Sequence, residues 1–350
     1  MKHIGNDYHG RADTMGRPRR RIFSNRTYEI CMRTRQGLPF VCTLYMEFLL
    51  KSIIARVQRD SKVIIDHLIW MANHAHIIIQ AKDAAECKNF YGEVQKQLTE
   101  AMKRLLKLDH LNLWGSNTVS VVEIVGLESV IERIAYLYAN PARANLINTI
   151  DDYPGMSSWN AFKNVPNTIN AAHSEECRWV RQPMISPLPA LAVTPRQDIH
   201  LVESMRAKTK TSHTLTYHPN AWMTEFGITS PEAIATVNAR IIARIREYEE
   251  EARQARLKKG WRVKGAARLA REAVNLSYKP ARDSRRIFVF ALDEKTRIAK
   301  IEEFKAFRER CRKCYERWCE GDFTVQWPPG CFKPPQPNNL NWFDDYAIAA

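Results

Sequence analysis

The chain has 350 residues, is 45% hydrophobic and 26% charged, and carries a formal net charge of +15. Such usage excludes wholesale disorder and leaves room for two domains, or for one domain with a large appendage. No apolar run approaches the ~20 residues that span a bilayer, and the opening MKHIGNDYHGRADTMGRPRRR has no apolar h-region, so the reading is a cytoplasmic chain with no membrane partner.

Residues 1–20 read as a basic arm that contains Gly16-Arg17-Pro18-Arg19-Arg20. A strand-like run follows at 21–34, carrying Ile22, Tyr28, Ile30 and Met32. Residues 41–59 place Leu44, Phe48, Leu49, Ile53 and Val57 at helical spacing. Two β-rich runs, 63–70 and 74–80, are separated by Met71-Ala72-Asn73. A second helix is expected over 84–108, a strand over 118–125 and a third helix over 127–139. That helix should stop near Asn140-Pro141, because proline disfavours a helical residue before it. The order β–α–β–β–α–β–α predicts an α+β fold, a ferredoxin-like antiparallel sheet with helices on one face, as a first domain over 21–180.

A proline-rich stretch within 181–200 reads as a linker. Beyond it, 231–275 and 293–320 read as long charged helices, followed by a proline-rich extended tail. Residues 201–350 are therefore taken as a basic, mainly helical accessory domain. The segment VKGAARLAREAVNLSYKPARDSRR has the character of a short helix-turn-helix unit, or of a basic helical scaffold packed on the first domain.

The placement of charge says more than its size. Residues 1–26 carry seven Lys/Arg against two Asp, and 240–286 carry fifteen Lys/Arg against six Asp/Glu, so the rest of the chain is nearly neutral. Two basic segments flanking a neutral body suit a polyanion, although solvated basic helices produce the same signal. Trp261 and Tyr278 are interleaved with Arg262, Lys264, Arg268 and Arg271, a mixture of phosphate-binding and base-stacking groups that favours nucleic acid over membrane.

The eight cysteines form one local cluster, Cys311, Cys314 and Cys319 with Cys331 beyond. Its spacing matches no common zinc ribbon, and buried or inert thiols are the favoured reading over a zinc site.

Two constellations carry chemistry. His74 and His76 stand at i and i+2 on a strand, so both imidazoles point to one face, where they are able to share a divalent cation. A chance pairing on a half-exposed strand would look the same. Tyr136 and Asn140 are four apart and share a helix face. Beside a metal-bound phosphate a tyrosine hydroxyl loses its proton and attacks, and an amide oxygen completes the metal shell; the plain alternative is an aromatic of an amphipathic helix. Glu132, one turn before Tyr136, reads as a solvated surface carboxylate, and Tyr138 faces away from Tyr136.

Met71-Ala72-Asn73-His74-Ala75-His76 resembles the "MPNHxH" signature of the HUH single-tyrosine transposases, in particular the REP-associated tyrosine transposases. Tyr136-Leu137-Tyr138-Ala139-Asn140-Pro141-Ala142-Arg143-Ala144-Asn145-Leu146-Ile147 is similar to that family's "YxxxNPVRAGLV", and Tyr153-Pro154-Gly155-Met156-Ser157-Ser158 to its "YPWSS". The likeness covers residues 17–165. It implies that His74, His76 and Asn140 bind Mg²⁺ or Mn²⁺ and that Tyr136 is the nucleophile. It also implies cleavage and rejoining of single-stranded DNA through a 5′-phosphotyrosine. The expected partners are DNA hairpins of palindromic repeats in the nucleoid, bound by a monomer or homodimer. Expected DNA contacts are Arg17, Arg19, Arg20, Arg21, Arg143, Arg262, Lys264 and Arg268. The absence of a GxxxxGK[ST] segment agrees with a reaction that needs no ATP.

Three departures from the pattern are Ala72 for proline, Asn145 for glycine, and Gly155-Met156 for a single tryptophan. Asn145 must tolerate whatever backbone the glycine served. His67 is a candidate partner behind the metal ligands or a core histidine. A hairpin-binding protein without catalysis and a rolling-circle-type initiator stand as alternative functions.

Overall fold

The computed structural model describes residues 21–115, 119–188, 193–279 and 287–334. In chain order, β1 (Tyr28–Arg33), α1 (Leu44–Arg59), β2 (Ile64–Met71), β3 (His74–Gln80), α2 (Ala84–Leu105) and β4 (Val119–Ile124) form a βαββαβ unit. Branched apolar runs such as HAHIIIQ favour extended backbone. Thr43 and Asp83 start the two helices by accepting the Met46 and Glu86 amide hydrogens. The strands order as β2-β3-β1-β4, all antiparallel, which is the ferredoxin-like arrangement expected from the element order. A two-residue strand, β7 (Val289–Phe290), adds in parallel at the β4 edge.

The two faces of the sheet bury different partners. Ile30, Ile77, Ile79 and Leu68 pack with Leu49, Leu50 and Ile53 of α1 and with Phe90, Val94 and Leu98 of α2. On the opposite face, Ile69, Met71, Ile78 and Ile124 lie in a second core. That core is completed by α3 (Leu127–Arg143), α4 (Trp159–Asn164) and α6 (Pro231–Lys258), through Ile134, Phe162, Ile241 and Ile245. Helices on one face therefore describes α1 and α2 and is corrected for α3. β2 and β3 are apolar on both faces, and a single helical layer would leave Ile69, Met71 and Ile78 in water at roughly 1.5–3 kcal/mol each.

The stretch read as a linker holds the start of a helix. α5 (Pro195–Lys208) begins in a capping box of Thr194 and Gln197, with Pro195 at the first helical position, where its missing N–H costs little. Asp198 of α5 is buried and accepts from the Leu44 and Tyr45 amides (2.6 and 2.9 Å), so it caps α1 across the chain. β5 (His173–Arg178) and β6 (Ser212–Tyr217), on either side of α5, form an antiparallel pair lying on α1.

The helix expected over 231–275 ends at Lys258, followed by Gly260 at φ +63. α7 (Ala266–Leu269) is a single turn, and no helix-turn-helix forms among the described residues of this segment. α8 (Glu294–Cys319) then packs on β7. No helix among the described residues is long and apolar enough to cross a membrane.

One buried carboxyl sits uneasily in this core. Asp66, at an irregularity between Ile65 and His67, accepts from Gln80 Nε2 (3.1 Å) while its second oxygen has no partner among the described residues. Burial pushes its pKa well above the usual carboxyl range, outweighing the Gln80 hydrogen bond that lowers it. A carboxyl raised in the fold favours its neutral form there, so its contribution is fully present below the unfolded value and is lost as pH rises. Asp66→Asn should raise unfolding free energy at pH 7 by about 1 kcal/mol or more, with the gain vanishing near pH 3. Urea titrations at the two pH values check this; a loss of stability at pH 7 would contradict it.

Candidate active site

β3 presents His74 and His76 to the face covered by α3, while Ala75 and Ile77 enter the opposite core, as period-two alternation requires. The imidazole centroids are 5.0 Å apart and the rings nearly perpendicular. Each ring is oriented through Nδ1, which lies 2.7 Å from Asn73 Oδ1 in His74 and 2.7 Å from Glu29 Oε1 in His76. Those oxygens accept, so each Nδ1–H donates and Nε2 is the nitrogen left for a ligand. Burial first, then the neighbouring His76 and Arg33, holds His74 well below the ordinary imidazole range.

Glu29 is buried beneath the pair. Its other oxygen accepts from Arg133 Nε (3.0 Å) and from Arg133 Nη2 at closer range. Burial alone would raise this carboxyl, but the Arg133 guanidinium and His76 bring it down to about 2. Glu29 is thus a fixed anion joining β1, β3 and α3. Neither Glu29 nor Arg133 was singled out in the sequence; the one available signal was an acid inside an apolar strand, which needs a partner when buried.

On α3, Arg133, Tyr136, Asn140 and Arg143 occupy one face. The Tyr136 ring meets His76 edge-on at 6.3 Å between centroids. Asn140 Nδ2 lies 3.5 Å from His74 Nε2, and turning the amide over puts Oδ1 in that place. The four residues expected to act together, His74, His76, Tyr136 and Asn140, are therefore neighbours. Two imidazoles and an amide oxygen suit a divalent cation that keeps open positions for phosphate oxygens. Among the described residues no group of three His, Cys, Asp or Glu is placed to hold a metal ion, so a centre here depends on the Asn140 amide.

Tyr138 points the other way. Its hydroxyl sits between His67 Nδ1 (2.9 Å) and Ser158 Oγ (2.8 Å), and burial raises its pKa far above the usual phenol range. It is a core tyrosine, and His67, whose pKa burial lowers to about 3, is its partner rather than a support for His74 or His76. Glu132 is not a solvated carboxylate: it accepts from Arg244 Nε (2.8 Å) and from the Tyr248 hydroxyl.

The end of α3 and the segment after it explain the departures in sequence. α3 continues through Pro141 to Arg143: the proline gives up one intrahelical hydrogen bond, to the carbonyl of Leu137, and only two helical residues follow it. The helix then closes in a Schellman motif: Asn145 N–H donates to Ala142 O (3.1 Å) and Leu146 N–H to Pro141 O (3.0 Å). Asn145 holds φ +59, the left-handed conformation that glycine adopts most freely and asparagine next. Tyr153 donates to Trp70 O (2.6 Å), and Ser158 Oγ accepts from Leu68 N–H (2.7 Å), which pins this segment along β2. A Cβ on Gly155 would lie 2.5 Å from the Tyr153 hydroxyl, so no side chain fits there unless that ring shifts.

Of the expected DNA contacts, Arg17, Arg19 and Arg20 lie outside the described residues. Arg21 pairs with Glu303 of α8 (3.1 Å), and Lys264 pairs with Glu272. Arg262 and Arg268 are exposed, and the Lys264 N–H bond to Asn145 O (3.0 Å) sets their segment beside the α3 terminus. Arg240, Arg244, Arg246 and Arg256 serve the α3–α6 side of the fold, on Glu128, Glu132, Asp151 and the Ala142 carbonyl respectively. In the cysteine cluster, Cys311 Sγ and Cys331 Sγ are 3.4 Å apart, and Cys319 is exposed.

No known family profile matches the chain, and no curated protein matches it. A solved structure of a REP-associated tyrosine transposase bound to a REP hairpin aligns with 43% of this chain and 86% of that one, at 21% identity and a TM-score of 0.36. A likeness that distant says nothing of what this chain does.

The Schellman closure makes a direct prediction. Asn145→Gly should be tolerated within a few tenths of a kcal/mol, whereas Asn145→Ala, forced into the left-handed region, should cost about 1 kcal/mol of unfolding free energy. Equal stabilities of the two variants would contradict the assignment.

Proposed function

We propose that the chain is a divalent-metal-dependent, single-tyrosine nuclease and strand transferase acting on single-stranded DNA folded into hairpins. The observation that carries this reading is the meeting of the β3 imidazoles with the α3 tyrosine and asparagine, at 6.3 Å from His76 to Tyr136 and 3.5 Å from His74 to Asn140.

His74 Nε2, His76 Nε2 and the Asn140 amide oxygen would hold Mg²⁺ or Mn²⁺. When bound, the ion supplies positive charge at a non-bridging oxygen of the scissile phosphate. Glu29 and Asn73 hold the two imidazoles through Nδ1, so neither ring has to reorient. Tyr136 gives its phenolic proton to water and its oxygen bonds to phosphorus. The bond from phosphorus to the 3′-oxygen breaks, and that oxygen takes up a proton, leaving a 5′-phosphotyrosine and a free 3′-hydroxyl. Attack by another 3′-hydroxyl reverses these changes, rejoins a strand and returns the proton to Tyr136. One phosphodiester is exchanged for another, so no ATP is consumed. Arg262 and Arg268, exposed beside the α3 terminus, are suited to the phosphates of the flanking strand.

Labelled hairpin oligonucleotides from palindromic repeats of the source genome, incubated with Mn²⁺ or Mg²⁺, test this. A covalent protein–DNA band should form with the wild type, vanish on chelation, and be absent from Tyr136→Phe. Hairpin binding without any adduct, in both metals, would favour a binding protein instead.

A further inference from the structure

Three guanidinium groups lie around the Tyr136–Tyr248 pair, and they are not equivalent. Arg133 is 4.8 Å from the Tyr136 ring centroid but is spent on Glu29. Arg244 is 4.2 Å from the Tyr248 ring centroid but is spent on Glu132. Arg143 stands 4.8 Å from the Tyr136 centroid and 4.9 Å from the Tyr248 centroid, and no carboxylate among the described residues lies within ion-pair distance of it. It is held by two rings set at 87° to each other, with centroids 6.4 Å apart. The second ring is itself fixed, since the Tyr248 hydroxyl donates to Glu132, which Arg244 grips from α6.

A guanidinium held by aromatic rings, charged and with its donors not committed to a carboxylate, is a preorganised partner for a phosphate oxygen. We infer that Arg143 grips a non-bridging oxygen of the phosphate that Tyr136 attacks, and that Tyr248, supplied by α6, is the positioning residue that holds it there. The inference rests on the nuclease reading above. It makes the long C-terminal helix part of the site, with Glu132 and Arg244 setting the position of Tyr248.

The test compares wild type, Arg143→Ala, Arg143→Lys, Tyr248→Leu and the double variant Arg143→Ala/Tyr248→Leu. Each is assayed for the rate of covalent adduct formation at saturating hairpin, for hairpin Kd, and for its response to a neutral methylphosphonate at the scissile position. Arg143→Ala should slow adduct formation about 100-fold with little change in Kd, and Arg143→Lys should recover part of the rate. Tyr248→Leu should slow the wild type about 10-fold yet add nothing once Arg143 is gone, as expected of residues acting as a unit. The methylphosphonate should penalise Arg143→Ala less than wild type, because the charge that the guanidinium neutralises is already absent. Arg143→Lys, which keeps length and charge, guards against loss of folding in the alanine variant. An adduct rate within twofold of wild type in Arg143→Ala, a loss confined to Kd, or additive effects of the two substitutions would overturn the inference alone. No adduct in the wild type would overturn the nuclease reading with it.

Discussion

The Glu29 carboxylate, 2% exposed, is shared between the His76 imidazole and the Arg133 guanidinium, and the candidate site depends on that sharing. A buried anion persists only while its partners stay; stripping one from such a group costs about 3–5 kcal/mol. Here the three partners sit on β1, β3 and α3, so their contact sets both the height and the rotation of α3 above the sheet. With Arg133 turned down onto Glu29, Tyr136 comes over His76 three residues later and Asn140 over His74 one turn beyond that. The same carboxylate orients His76 through Nδ1. One acid thus aligns an imidazole and the helix carrying the tyrosine in a single arrangement.

The second organising feature is the α3–α6 contact. α6 covers the outer side of α3 with Ile241 and Ile245, and it brings Arg240, Arg244 and Arg246 to carboxylates on α3 and on the segment after it. Much of the basic character of 240–286 is therefore spent inside the molecule, in partly exposed pairs that each add little stability but together fix register. Positive charge without a carboxylate partner among the described residues stands at Arg33 beside His74, at Arg143, and at the exposed Arg262 and Arg268. A net charge of +15 is consequently a poor map of where a polyanion would lie.

How legible this was in the sequence follows from range. The βαββαβ order, β3 at 74–80 and the shared face of Tyr136 and Asn140 are local patterns, and local periodicity captured them. Asn145 in place of glycine was flagged, and the left-handed φ it adopts is a backbone property that the residue type hints at. Glu29, Arg133 and Tyr248 were missed because their partners lie about a hundred residues away, and nothing in a strand of the form YEICMR says which cation will arrive. Two local rules misled. Proline's bias against a preceding helical residue predicts a stop near Asn140, yet α3 absorbs Pro141 at the loss of one hydrogen bond, and proline richness over 183–195 predicts a linker where Pro195 opens α5. The run at 231–275 was read as one helix because its charge pattern continues past Gly260, where the backbone turns.

On the proposed reading, β3 and α3 together form one divalent-cation site facing a tyrosine. Crystals of the protein soaked in Mn²⁺, with diffraction collected near the manganese edge, test it most directly. An anomalous peak should lie within about 2.3 Å of His74 Nε2, His76 Nε2 and the Asn140 amide oxygen, and should be lost in His74→Ala/His76→Ala. Manganese absent from the histidine pair at millimolar concentration, or bound there with Asn140 turned away, would contradict it.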